Sequence, residues 1–133
     1  MKDQEVQQEY FKLQMLDSQM KELDKNVSTM EEQVLQLRNL KESIGKVSNC
    51  KEGSTLQAPI SPGIYLETEL KSSKNVIVNV GSNIFIKKDV KGAQETVQNR
   101  VEYVQKIIEE LVKDREDLQK QVKKSQEKIQ GHV

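Results

Sequence analysis

A narrow heptad stripe of apolar residues near the start of the chain constrains its fold more than any other feature. The a positions of this seam are 6, 13, 20, 27, 34 and 41, and its d positions are 9, 16, 23, 30, 37 and 44. Ten of these twelve residues are apolar, and the exceptions are Glu9 and Lys41. A two-in-seven stripe over more than five heptads is typical of a coiled coil, not of the wider face of a globular helix. The pattern predicts a first coiled-coil helix within residues 1 to 49.

A second seam of the same kind runs through residues 89 to 131. Its d positions are 90, 97, 104, 111, 118 and 125, and its a positions are 94, 101, 108, 115, 122 and 129. Nine of the twelve residues are apolar, and the polar ones are Gln94, Arg115 and Ser125. Asp89 is a predicted N-cap, because its carboxylate can accept from the free amides of the first turn. Two matching seams predict that the second helix folds back antiparallel on the first.

The antiparallel arrangement predicts which residues face the polar breaks in the seams. Lys41 is expected opposite residues 90 to 94. Arg115 is expected opposite residues 17 to 20, which makes Asp17 its predicted partner.

The middle of the chain, residues 50 to 88, is the only part with the pattern of a sheet. Four short apolar runs, at 55 to 58, 64 to 70, 76 to 80 and 84 to 87, are bounded by Gly, Pro, Ser or Asn. The second run alternates apolar and polar residues, and the third is rich in β-branched side chains, which favour strands. With turns at residues 59 to 63 and 81 to 83, the four runs predict two consecutive β-hairpins. The fold class is therefore α+β, in a single 133-residue domain.

Two isolated hairpins would leave unpaired backbone groups at their edges and one apolar face uncovered. Strands from other subunits are the economical solution, so the hairpins are predicted to build a barrel or sandwich shared among subunits. The residues predicted to carry this assembly are Leu56, Ile64, Leu66, Val76, Val78, Val80, Ile84 and Ile86.

Composition bears against several other classes of protein. Lysine plus arginine equals aspartate plus glutamate at 21 each, so no global field draws the chain to nucleic acid or to an anionic membrane. No apolar stretch approaches the roughly 18 residues of a membrane span, and we expect a cytoplasmic protein. One cysteine, Cys50, and one histidine give no metal site or catalytic constellation, so we expect neither an enzyme nor a cofactor.

Two segments of the hairpin region carry a family resemblance. Residues 58 to 65, Ala-Pro-Ile-Ser-Pro-Gly-Ile-Tyr, and residues 76 to 83, Val-Ile-Val-Asn-Val-Gly-Ser-Asn, lie within the order helix, two hairpins, helix. In these features the chain resembles the prefoldin family, and two hairpins rather than one favour the alpha class of archaeal subunits. Ser61 and Asn83 stand where the family often has glycine.

The resemblance implies an ATP-independent holding chaperone without catalytic residues. Two alpha and four beta subunits would share a double β-barrel platform, and six coiled-coil arms would bind unfolded polypeptides at their tips and pass them to the group II chaperonin. Frayed coiled-coil ends suit such binding, because they present mobile apolar surface. The candidate tip residues are Val6, Tyr10, Phe11, Leu13, Met15, Leu16, Ile129 and Val133.

One alternative from another functional class stays open. A related coiled-coil protein could use the same hairpins to form homo-oligomers or filaments with a structural role. A chaperone should suppress the aggregation of several unrelated proteins without ATP, whereas a scaffold should not.

Overall fold

Two long helices flank two β-hairpins in the computed structural model of the protein, which describes residues 2 to 132. The elements in chain order are α1 (Asp3–Val47), β1 (Thr55–Ser61), β2 (Ile64–Glu69), β3 (Asn75–Gly81), β4 (Ile84–Asp89) and α2 (Val90–His132). This order confirms the predicted α+β class. The contacts divide the chain into two compact units: a helical unit with α1 up to Val34 and α2 from Glu102, and a hairpin unit with residues Leu35–Val101.

Burial in the helical unit follows the predicted heptad. Between residues 2 and 34, every a and d position is buried or half-buried and every other residue is exposed. Leu16 and Val34 are the most deeply buried of these positions. The apolar seam therefore sets which face of α1 packs, as expected when burial of an amphipathic stripe stabilises a helix more than its intrinsic propensity does.

The polar seam residues of the helical unit have partners on the other helix. Ser125 is only 1% exposed, and its hydroxyl donates to Glu9 Oε1 at 2.8 Å. Arg115 donates to the carboxylate of Asp24. Because residues early in α1 meet residues late in α2, the two helices are antiparallel in this unit.

The predicted partner of Arg115 was wrong by one heptad. Asp17 forms an ion pair with Lys21 on its own helix at 3.2 Å. The partner of Arg115 is Asp24 instead of Asp17. The reason is the direction of helical side chains, which lean towards the N-terminus of their own helix. In an antiparallel pair, Arg115 and Asp24 lean towards each other, whereas Asp17 leans away from Arg115.

In the hairpin unit, the base of the helix pair contains a second polar layer. Gln94 Nε2 donates to the backbone carbonyl of Lys41 at 3.2 Å, and Lys41 Nζ donates to Gln98 Oε1 at 3.1 Å. The expected position of Lys41 is thereby confirmed. Ala93, Val97 and Val101 are buried beside this layer.

The two hairpins are separate two-stranded sheets, β1 with β2 and β3 with β4. β1 is longer than predicted, because it continues through Pro59 to Ser61 and leaves only Pro62 and Gly63 as the turn. Gly63 has a φ of 82°, which glycine adopts without the penalty of a Cβ atom.

The second turn consists of Ser82 and Asn83, with φ values of 50° and 59°. Two successive residues with positive φ match the twist of antiparallel strands and make a tight two-residue connection. Asn tolerates this conformation better than other residues with a side chain, so Asn83 serves where glycine is common.

Asp89 ends β4 and is the N-cap of α2, which begins at Val90. The backbone N–H of Gly92 donates to Asp89 Oδ1 at 2.7 Å, which confirms the predicted N-cap. Lys88 Nζ donates to Thr96 Oγ1 at 2.8 Å. Strand β4 is therefore joined to the first two turns of α2 by side chains as well as by the backbone.

Candidate interaction surfaces

The first candidate surface is one face of the two hairpins. Cross-strand register places Ala58 opposite Leu66 and Val78 opposite Ile86, so each pair lies on one face of its own hairpin. Of the eight residues predicted for assembly, seven have a directly opposite residue on the neighbouring strand of their hairpin. The eighth, Val80, lies at the irregularity in β3 and has no opposite residue. Most of these side chains are exposed in the single chain, and Val76 and Val78 are half-buried. An exposed apolar face of this kind is typical of a surface that another subunit or segment covers.

The opposite face of the hairpins also carries large apolar side chains, which the sequence reasoning missed. Ile77 is 69% exposed and Phe85 is 63% exposed, and Tyr65 is exposed as well. These residues stand at the alternate positions of their strands. The sequence does indicate this second apolar face, because residues 76 to 78 and 84 to 86 are uninterrupted apolar runs. Successive residues of a strand point to opposite faces, so such runs place apolar side chains on both.

The two hairpins repeat the same strand pairing, although their turns differ in conformation. Each residue of the second hairpin lies 20 positions after its counterpart in the first, as the end pairs Thr55 with Glu69 and Asn75 with Asp89 show. Both hairpins have a shift in register just before the turn, at Ile60 and at Val80. A bulge adds local twist to the strand that contains it. The two hairpins therefore share pairing, bulge position and turn length.

A hydrogen bond fixes the second hairpin relative to α2 within the hairpin unit. Arg100 Nη2 donates to the backbone carbonyl of Asn79 at 3.0 Å, next to the bulge. Asn79 Oδ1 accepts from the N–H of Gly81 at 2.9 Å. The disrupted ladder at the bulge thus keeps partners for its backbone groups, one of them from the helix.

The second candidate surface is the tip of the helical unit, defined here as residues 3 to 16 of α1 and 118 to 131 of α2. The predicted residues fall into two groups there. Val6, Leu13, Leu16 and Ile129 are half-buried or buried in the seam, whereas Tyr10, Phe11 and Met15 are exposed. Val133 lies outside the described residues.

Phe11 and Met15 are the most prominent part of the tip. They are 64% and 50% exposed and lie four residues apart, hence on one face of α1. Gln14, Ser18 and Gln19 line the same shallow groove. Glu22 completes the lining of this groove. Apolar side chains among mostly uncharged polar ones form a surface that can contact many different sequences.

Among residues 2 to 132, no group of three or more His, Cys, Asp or Glu side chains is placed to hold a metal ion. Cys50 is a half-buried free thiol whose Sγ lies 3.5 Å from the Lys46 carbonyl. None of the helices so described contains a segment long and apolar enough to span a bilayer.

Comparison with known proteins agrees with the fold. Residues 16–133 match the family model for prefoldin subunits. The chain is 24% identical to a prefoldin subunit alpha of Methanococcus aeolicus, over 98% of this chain and 94% of that protein. It is 25% identical to a prefoldin subunit alpha of Nitrosopumilus maritimus, over 88% of this chain and 80% of that protein.

Among solved structures, the chain is similar to the filamentous prefoldin of Methanocaldococcus jannaschii. The TM-score is 0.77 at 16% identity, and the match covers 84% of this chain and 92% of the other. At that identity the similarity supports the fold alone.

Proposed function

Since the chain belongs to the prefoldin family, whose members act as chaperones in multisubunit assemblies, we propose that it is an alpha-class subunit that holds unfolded polypeptides. Binding occurs at the tip and needs neither ATP nor a cofactor. The hairpins join it to beta subunits, two alpha with four beta, on a shared β-barrel platform. The complex works in the cytoplasm and passes its clients to the group II chaperonin.

The observation that carries the proposal is the exposed apolar surface at the tip. Tyr10, Phe11 and Met15 project away from the seam, so they do not stabilise the helix pair by packing in it. Single exposed apolar residues are common on protein surfaces, but Phe11 and Met15 lie on one face of α1 and line one groove. Tyr10 is exposed on a neighbouring face of the same helix. Methionine and aromatic side chains adapt to varied partners, which suits a chaperone whose clients share only their unfolded state.

Assembly through the hairpins is supported by the open sheets. Each hairpin has two strands, and a two-stranded sheet is marginally stable in water by itself. The apolar residues around Leu66 and Ile86 are exposed on the isolated chain. Strands from neighbouring subunits would pair the edges and cover this face at once.

The test measures the mass of the assembled complex and its ability to suppress aggregation. The chain is mixed with a beta-class prefoldin subunit, and the complex is weighed by native mass spectrometry. The same complex is then assayed for suppression of aggregation of several unrelated denatured proteins, without ATP. We expect a hexamer that suppresses aggregation at near-stoichiometric ratio. A complex or a homo-oligomer that protects none of the clients would contradict the chaperone function and favour a structural role.

A further inference from the structure

The groove that contains Phe11 and Met15 continues along α1 beyond the tip and ends at a negative charge. Its lining residues follow one another at steps of three or one positions, so they form one face of a single helix over about three turns. Phe11 and Met15 lie at one end and Glu22 at the other, with uncharged polar residues between them. The groove therefore runs from an apolar end to an acidic end.

The charge of Glu22 is not neutralised within the chain. Glu22 is exposed and is the one charged residue in the lining of the groove. The two nearest acidic residues are engaged elsewhere, because Asp17 pairs with Lys21 and Asp24 pairs with Arg115. Among the described residues, no cation forms an ion pair with Glu22. Its carboxylate is therefore available to a cation on whatever occupies the groove.

The dimensions of the helix define the pattern that an extended polypeptide needs in order to follow this groove. At a rise of about 1.5 Å per residue, Phe11 and Met15 are about 6 Å apart along α1, and Met15 and Glu22 are about 10 Å apart. An extended chain advances about 3.3 Å per residue, and its alternate residues share a face. Two alternate apolar residues match Phe11 and Met15. A lysine or arginine at the next alternate position reaches Glu22 with its long, flexible side chain.

We propose that this groove selects client segments in which apolar residues are followed by a basic residue, and that Glu22 determines this selection. The proposal rests on client binding at the tip, as proposed above, and names the chemical class of segment that this subunit takes. Contact with Phe11 and Met15 depends little on the sequence of the client. Glu22 adds a preference, because it attracts a basic residue and repels an acidic one at the same place.

Short peptides test the proposal on the full chain without any other subunit, so that no other arm contributes. The protein contains no tryptophan, so a tryptophan in the peptide reports binding by its fluorescence. Three end-capped peptides share the sequence Trp-Ser-Leu-Ser-X, where X is Lys, Gln or Glu. At low salt, the chain should bind the Lys peptide about threefold more tightly than the Gln peptide, and the Glu peptide about threefold more weakly.

Substitutions in the groove separate the charge preference from the apolar contact. Glu22→Gln keeps the shape of the side chain and should abolish the difference among the three peptides. Glu22→Lys should reverse their order, so that the Glu peptide binds most tightly. Phe11→Ser/Met15→Ser should weaken the binding of all three peptides to a similar extent. The preference of the parent chain should also fade towards 1 M salt, where charges are screened over about 3 Å.

Glu32→Gln is the matched control, because Glu32 is an exposed carboxylate of α1 outside the groove. It removes the same charge and should leave the full preference for the Lys peptide. Circular dichroism should show equal helix content for all variants. A parent chain that binds the three peptides equally or not at all, a Glu22→Gln chain that keeps the preference, or a Glu32→Gln chain that loses it would overturn the proposal. Suppression of aggregation by the complex with beta subunits is measured separately, so the chaperone function is decided independently of the charge preference.

Discussion

Arg115 in α2 donates a hydrogen bond to the carboxylate of Asp24 in α1, across the seam of the helical unit. That hydrogen bond and the negative charge of Asp24 raise the pKa of Arg115 above its ordinary value. Arginine is charged in the folded and the unfolded chain well past neutral pH, so its raised pKa adds no pH dependence there. The pair shows the register of the two helices, because Arg115 contacts Asp24 and Asp17 contacts Lys21.

The register can be tested with two isosteric substitutions. Asp24→Asn removes the charge that Arg115 contacts and should lower the Tm of the chain slightly, because the pair is largely exposed. Asp17→Asn, one heptad away, should lower it less, since it disrupts only the Asp17 contact with Lys21 on one helix. Thermal unfolding followed by circular dichroism at low salt measures both. A larger effect of Asp17→Asn would contradict the observed register.

A second prediction concerns Gly45, which lies inside α1 against Gln94. A Cβ atom at position 45 would lie 2.8 Å from Gln94 Nε2, so alanine there must displace an amide that donates to the Lys41 carbonyl. Loss of that hydrogen bond costs about 1 kcal/mol. Alanine in place of glycine in a helix gains about 1 kcal/mol. Gly45→Ala should therefore be close to neutral.

A double-mutant cycle can separate the lost hydrogen bond of Gln94 from the gain in helix propensity at position 45. In a Gln94→Ala chain the amide is gone, so Gly45→Ala should then stabilise the protein by about 1 kcal/mol. Urea unfolding of the four chains gives the coupling energy. Equal effects of Gly45→Ala in both backgrounds would mean that Gln94 does not oppose a side chain at position 45.

The third prediction places assembly on the face of Val78. Val78→Asp puts a carboxylate where strands from another subunit are proposed to pack, and burial of an unpaired charge costs several kcal/mol. The variant should lose its oligomer and keep nearly all its helix. Asn79→Asp is the matched control, because it adds the same charge on the opposite face and keeps the acceptor for Gly81. Size-exclusion chromatography with light scattering compares them, and an intact Val78→Asp oligomer would show that this face is not the interface.

The fourth prediction concerns client binding. Phe11→Ser/Met15→Ser removes the exposed apolar pair at the tip and should weaken suppression of aggregation severalfold without changing the mass of the complex. Leu35→Ser/Leu40→Ser removes two exposed apolar residues further along the same helix and should have little effect. Both variants are assayed in the complex with beta subunits, on a large and a small client.

Contacts shared over several arms can hide a loss on one subunit, because multivalent binding tolerates the weakening of single sites. A stronger variant therefore lacks residues 1 to 16 and 118 to 133. If this complex forms with the parental subunit composition and protects every client as well as the parent does, the tip of this subunit is not a binding site.

The heptad pattern predicted burial along α1 and the position of Lys41 opposite Gln94, but it did not identify the partner of Arg115. Asp17 and Asp24 hold the same heptad position one repeat apart, so both fit the pattern. The direction in which side chains leave a helix separates them. That information belongs to the geometry of the pair and not to the periodicity of either sequence.

The strands show the same division between pattern and geometry. Alternation around Ile64 and the β-branched run around Val78 predicted the elements. The end of β1 was misplaced because Pro59 and Ser61 are typical of turns, yet both continue the strand here. A bulge at Ile60 accommodates them, and bulges leave no clear mark in hydrophobic alternation. The second apolar face around Ile77 was overlooked because assembly needed only one.

The spacing of 20 residues between equivalent hairpins makes the chain, in the terms of polymer chemistry, a unit of functionality two. On the proposed assembly through the hairpins, every copy of this chain has two places at which another subunit can attach. A copy with only one working hairpin would still bind, but it would have functionality one and would act as a chain stopper.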